Sequence, residues 1–97
     1  MSVKLIALPV LALAALLTLS LASAQANNVE GRITGITSST VTIQPAHGPA
    51  VTVQVVAKTV TELNGREVHL SALKVGDRGD ADYNGHTLVA SGIDARR

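Results

Sequence analysis

The chain has no cysteine, no phenylalanine and no tryptophan, and Tyr83 is its one aromatic ring among 97 residues. Without cysteine there is no disulfide framework, no thiolate nucleophile and no cysteine metal site. A single ring cannot form a stacking platform for single-stranded nucleic acid. An excess of one charge is missing as well. The formal charge is +1, and Lys4 is the only charged residue among the first 26, so residues 27–97 are formally neutral. A neutral chain exerts no general pull on nucleic acid or anionic lipid. There is no glycine-rich phosphate loop, and none of Ser38, Ser39, Ser71 or Ser91 stands in a nucleophile-elbow setting. These absences point away from an enzyme, from a cofactor protein and from a nucleic-acid binder.

One long hydrophobic run is present, at the start. Lys4 precedes Leu5 to Leu21, a stretch rich in Leu and Ala, and Ala22-Ser23-Ala24-Gln25-Ala26 follows. Ala24-Gln25-Ala26 is an A-x-A cleavage site and Ala22-Ser23-Ala24 a second; peptidase pockets there accept only small side chains. Residues 1–26 are expected to be a cleaved signal peptide and residues 27–97 one small domain, periplasmic or secreted. No Lys/Arg stop-transfer cluster follows the run, so membrane contact is expected only through this segment before cleavage.

The rest of the chain reads as strands. In Val29 to Thr37, Val29, Gly31, Ile33 and Gly35 fall on one face and Glu30, Arg32 and Thr34 on the other. Ile36 breaks that phase, which predicts a bulge or bend near Gly35. Thr40 to Gln44 returns as an antiparallel partner. Pro45 to Pro49 is a loop, and Ala50 to Val56 alternates cleanly. Val60-Thr61 extends that strand or starts another, and Asn64-Gly65 marks a turn. Val68 to Leu70 predicts a further short strand. Ser71 is expected to cap a short helical turn ended by Gly76, with Leu70, Leu73 and Val75 plugging the core. Arg78 to Tyr83 and Thr87 to Ile93 read as a hairpin through a type I′ turn at Asn84-Gly85. Asp94 to Arg97 is a polar end expected to fray. Short strands in so small a chain must hide their edges, so the expected fold is all-β. It is a small five- or six-stranded antiparallel barrel, OB-like or SH3-like, with an open β-sandwich as the alternative.

Leu73-Lys74-Val75-Gly76-Asp77-Arg78, then Asn84-Gly85, then Leu88-Val89-Ala90-Ser91-Gly92-Ile93, together with the opening Val29-x-Gly31-x-Ile33-x-x-Ile36, resemble a family of small exported bacterial domains of unknown function, the DUF5666 type. The resemblance covers nearly all of residues 29–94. It implies a β-barrel in an exported location and no catalytic residues. Gly79 stands where that family carries Val, a departure that implies weaker strand packing or a bulge at this point.

Three features bear on chemistry. His47, His69 and His86 are widely spaced, without the close pair that usually fixes two metal ligands on one rigid element; they read as solvated turn residues. Asp80-Ala81-Asp82-Tyr83-Asn84-Gly85 copies the front half of a calcium loop, but the twelfth position is Ser91 instead of a bidentate Glu. An acidic outer strand face explains it as well. Asp77, Asp80, Asp82, Asn84 and His86 are therefore the candidate metal ligands. Arg78-Gly79-Asp80 is an RGD tripeptide in a strand, whereas adhesion needs a mobile loop.

The expected function is an exported, non-enzymatic binding or interaction module of the bacterial cell envelope, its partner an envelope protein or small ligand. The expected surfaces are Pro45 to Pro49, Asn64 to Glu67 and the Asp77 to His86 strand and hairpin. The alternatives are a weak divalent-cation binder using the 77–86 hairpin and an assembly subunit joined through an exposed edge such as Thr87 to Ile93.

Overall fold

A computed structural model describes residues 26–97, so the leader expected at 1–26 lies outside the described residues except for Ala26. The chain forms β1 (Ala26–Ile36), β2 (Thr40–Gln44), β3 (Val51–Gln54), β4 (Val60–Leu63), β5 (Arg66–Glu67), a 3-10 turn (Leu70–Ala72), β6 (Arg78–Asn84) and β7 (Ala90–Arg96). All seven strands belong to one sheet, in the order β3-β2-β1-β6-β7-β4-β5.

The all-β class holds, but three details of the expected barrel need correcting. There are seven strands; β4 and β7 run parallel; and the ladder is not closed. The physical reason is the break at residues 55–59. β3 and β4 run in the same sense as halves of one interrupted strand. The first half pairs with β2 and the second with β7. Five strand spacings separate β3 from β4 across the ladder, roughly 24 Å if flat. The six steps from Gln54 to Val60 span at most about 22 Å. The sheet must therefore curl, and a lone parallel bridge, Gln54↔Val89, joins the edge strand β3 to the segment that enters β7. Thr59 ties the break down: its hydroxyl donates to Ala90 O at 2.6 Å and accepts from Val56 N at 3.0 Å.

Inside the curl lie Ile33, Val41, Ile43, Val53, Ala81, Ala90, Ile93 and Ala95, each at most 2% exposed. Large residues from β1 and β2 face small ones from β6. A Cβ on Gly79 would stand 3.0 Å from Ile33 Cγ1 and 3.3 Å from Ile43 Cδ1. Gly79 thus makes room for two isoleucines. No bulge occurs there, since the β6–β7 register runs unbroken from Arg78↔Arg96 through Asp82↔Gly92. It slips one step on, between Asp82 and Tyr83, where Ser91 is the extra residue. The bulge expected near Gly35 is present: Ile33 pairs with Ile43 and Gly35 with Thr42, leaving Thr34 unpaired. Gly31 lies where β1 passes the end of β2; a Cβ there would collide with the Gln44 carbonyl oxygen and stand 2.8 Å from Pro45 Cα.

The turns exchange their expected roles. Asn64 and Gly65 both have positive φ (53° and 85°) between the paired Leu63 and Arg66, the two-residue geometry expected of Asn84-Gly85. At the other site Asn84 stays in β6, its Oδ1 accepts from His86 N and Thr87 N, and Leu88 takes the positive φ of 62°. The 3-10 turn is capped by His69, whose Nδ1 accepts from Ser71 N at 3.2 Å, and not by Ser71 itself. Leu70 and Leu73 are buried as expected, but Val75 is 64% exposed because the chain turns outward toward Gly76. β7 is no edge: it lies between β6 and β4, which removes Thr87 to Ile93 as an assembly edge. The RGD tripeptide sits in the interior strand β6 with Gly79 buried.

Gly31→Ala is expected to destabilise the domain by about 3 kcal/mol or more, since backbone atoms block the added methyl. Gly79→Ala is expected to cost about 1 kcal/mol, since isoleucine side chains can shift. Urea titration of the two variants beside the native chain checks both.

Candidate functional site

Strand pairing turns scattered charges into two rows. On the outward face of the curled sheet, Glu30, Asp80, Asp94 and Glu62 stand directly opposite one another across β1, β6, β7 and β4. Glu67 continues the row on β5. Two residues along the strands, Arg32, Arg78 and Arg96 form a second row across β1, β6 and β7. Neighbours within a row stand about 4.8 Å apart along the pairing direction, and the rows lie about 6.8 Å apart. Carboxylates side by side repel, so the arginine row is a required complement. The intramolecular pairing is loose. Arg78 approaches Glu30 at 3.8 Å and Arg96 approaches Asp94 at 3.8 Å, all four side chains well exposed. Such pairs contribute about 0–1 kcal/mol each. Arg32 donates instead to Gly76 O at 2.9 Å.

The five residues named as candidate metal ligands separate. Asp80 and Asp82 converge: Asn28 Nδ2 donates to Asp80 Oδ1 at 2.6 Å and to Asp82 Oδ1 at 2.8 Å. Asn84 spends its side-chain oxygen on the backbone of its own turn, and His86 is exposed beyond it. Asp77 is buried and bound elsewhere. Among the described residues, no three His, Cys, Asp or Glu side chains gather closely enough to hold a metal ion. A depression of about 290 Å³ does open over Gly92, lined by Glu62, Asp80, Asp82 and Asp94.

Asp77 is a structural hub. Arg97 grips its carboxylate with two hydrogen bonds, Nε to Oδ1 at 3.0 Å and Nη2 to Oδ2 at 2.9 Å. Lys74 N donates to Oδ2 at 2.8 Å. The backbone carbonyl of Asp77 accepts from Ile33 N at 2.8 Å. Arg97 also reaches Ala72 O and, through its backbone N, Asn64 Oδ1. Residues 94–97, expected to fray, are thus β7 and a clamp. The Arg97 hydrogen bonds hold the Asp77 carboxyl below its ordinary value of 3.8, burial opposes them, and the Lys74 amide adds to the lowering.

No family model, curated protein or solved structure matches the chain. No helix among the described residues is long and apolar enough to cross a membrane. Sequence reasoning placed Asp77, Asp80 and Asp82 in one cluster and missed Asn28 and Arg97. The register of β1 on β6 would have exposed Asn28; no local signal marks Arg97.

A carboxyl whose folded pKa is lowered stabilises the fold above its unfolded pKa. That contribution is lost as pH falls through the folded value. The melting temperature is therefore expected to hold down to about pH 4 and to drop below it. Asp77→Asn is expected to melt about 5 °C or more lower at pH 7 and to show a shallower acid limb. Thermal melts followed by circular dichroism across pH 2–7 check both.

Proposed function

We propose that the protein is an exported, non-enzymatic binding module of the bacterial cell envelope, periplasmic or secreted, and a DUF5666-like domain. Its working surface is the two-row charged face of β1, β6, β7 and β4. The leader-like residues 1–26 and the motif residues around Gly76-Asp77 support the location and the family. The connectivity supports the OB-like barrel. With β3 and β4 counted as one interrupted strand, pairing runs β1–β2–β3/β4–β7–β6 and back to β1, a five-stranded circuit with β5 as an appendage.

One observation carries the functional reading. In the opposed rows Glu30–Asp80–Asp94 and Arg32–Arg78–Arg96, the pairs Arg78–Glu30 and Arg96–Asp94 are only slackly held, so these four side chains keep donors and acceptors open to a partner, while Arg32 and Asp80 each spend one hydrogen bond within the chain. A partner held this way binds by charge pattern and releases with salt. The immobilised native chain is expected to retain an envelope component that about 0.5 M salt elutes. The Arg78→Glu/Arg96→Glu variant should fail to retain it. If neither calorimetry nor retention from envelope extract detects a ligand, the reading fails.

A second reading, a weak divalent-cation binder, is favoured by the convergence of Asp80 Oδ1 and Asp82 Oδ1 on the single Asn28 amide. A site with a Kd of about 1 mM adds about 1.4 kcal/mol at about 10 mM calcium. A melting temperature unchanged by calcium or zinc at that level removes this reading.

A further inference from the structure

The charged face is its own complement. A row of arginines lies beside a row of carboxylates, with the same strands carrying both: Glu30 and Arg32 on β1, Arg78 and Asp80 on β6, Asp94 and Arg96 on β7. A two-fold axis lying in the plane of this face and running between the rows brings each arginine row onto the carboxylate row of the other copy. The contact is then isologous, the same patch serving both sides. We propose that the partner of this face is a second copy of the chain, docked face to face through these six side chains. The inference rests on the working surface assigned above and names its occupant.

Three observations favour this occupant. A partner that matches the face must present both signs in adjacent rows at strand spacing, and the chain itself presents that pattern. The net charge of residues 27–97 is zero, so no long-range repulsion opposes self-association. The internal pairs are too long for hydrogen bonds, Arg78–Glu30 and Arg96–Asp94 both measuring 3.8 Å. Arg78 and Arg96 therefore keep donors for a bidentate carboxylate across the interface, whereas Arg32 already spends one on Gly76 O. Between two sheets the attraction within each pair is stronger than in water, and bidentate hydrogen bonds offset the desolvation of the charges.

Sedimentation equilibrium of the folded domain, at about 0.01 M and about 1 M salt, tests the proposal. The native chain is expected to dimerise at low salt and to weaken at least about tenfold at high salt. Arg78→Glu/Arg96→Glu leaves Arg32 as the only cation among the six side chains, and Glu30→Arg/Asp94→Arg leaves Asp80 as the only carboxylate among them. Each is expected to remain monomeric alone, and an equimolar mixture is expected to form a heterodimer. Circular dichroism establishes that each variant folds; if the basic variant does not, the acidic one alone must abolish the native dimer. A native chain that is monomeric at low salt and high concentration overturns the proposal. So does a dimer that ignores both salt and the substitutions. In either case, salt-eluted retention of an envelope component leaves the binding-face reading standing without this partner.

Discussion

Ile33 and Ile43 pack into the space above Gly79, and that contact sets the register of β1 against β6. Everything on the outer face follows from it. Side chains alternate along a strand with period two, so a slip of one residue would turn Gly79 outward and drive Arg78 and Asp80 into the core. The aliphatic core, built without tryptophan or phenylalanine, compensates for its lack of large rings by matching isoleucines to glycine and alanine. Gly31 adds a second constraint at the same strand, since only a residue without Cβ passes the Gln44 carbonyl. The buried face therefore fixes, residue by residue, which charges meet on the exposed one.

Two kinds of electrostatics coexist in the fold. The clamp around Asp77 is local, buried at the carboxylate and hydrogen-bonded to the end of its own turn, to the 3-10 region through Arg97 and to β1 through its carbonyl. It holds the closing residues of β7 onto the segment that enters β6. The rows on the outer face are exposed, paired at distances of 3.8 Å and weakly stabilising. Charges that contribute little to folding are available to a partner. That contrast, more than the number of charges, separates the structural acid from those proposed to bind.

Most strands were legible in the sequence because their alternation is strict: Val29-x-Gly31-x-Ile33 and Val41-x-Ile43 bury the expected positions, and in Val51-x-Val53 Val53 is buried and Val51 half-buried. The bulge beside Gly35 was legible because Ile36 falls out of phase. The parallel pairing of β4 with β7 was not, because no short-range pattern marks which strand a segment will meet after a break such as residues 55–59. Asn64-Gly65 and Asn84-Gly85 carry the same dipeptide, yet only the first forms the two-residue turn. At the second, Asn84 continues the pairing with Ala26 and its side chain caps a longer loop, so tertiary pairing overrides the dipeptide preference. Of the candidate site, the acidic alternation of Asp80 and Asp82 was readable. The rows they join were not, because a cross-strand row exists only once the register is known. Arg97 was unreadable for the same reason, its partner lying 20 residues away.

Both charged rows depend on that register, and nuclear magnetic resonance measures it directly. Cross-strand nuclear Overhauser contacts are expected between Val29 and Ala81, between Ala81 and Ile93, and, for the parallel pair, between Val60 and Gly92. Contacts placing Arg78 opposite Gly31, or an antiparallel pattern between β4 and β7, would dissolve the rows and contradict the account.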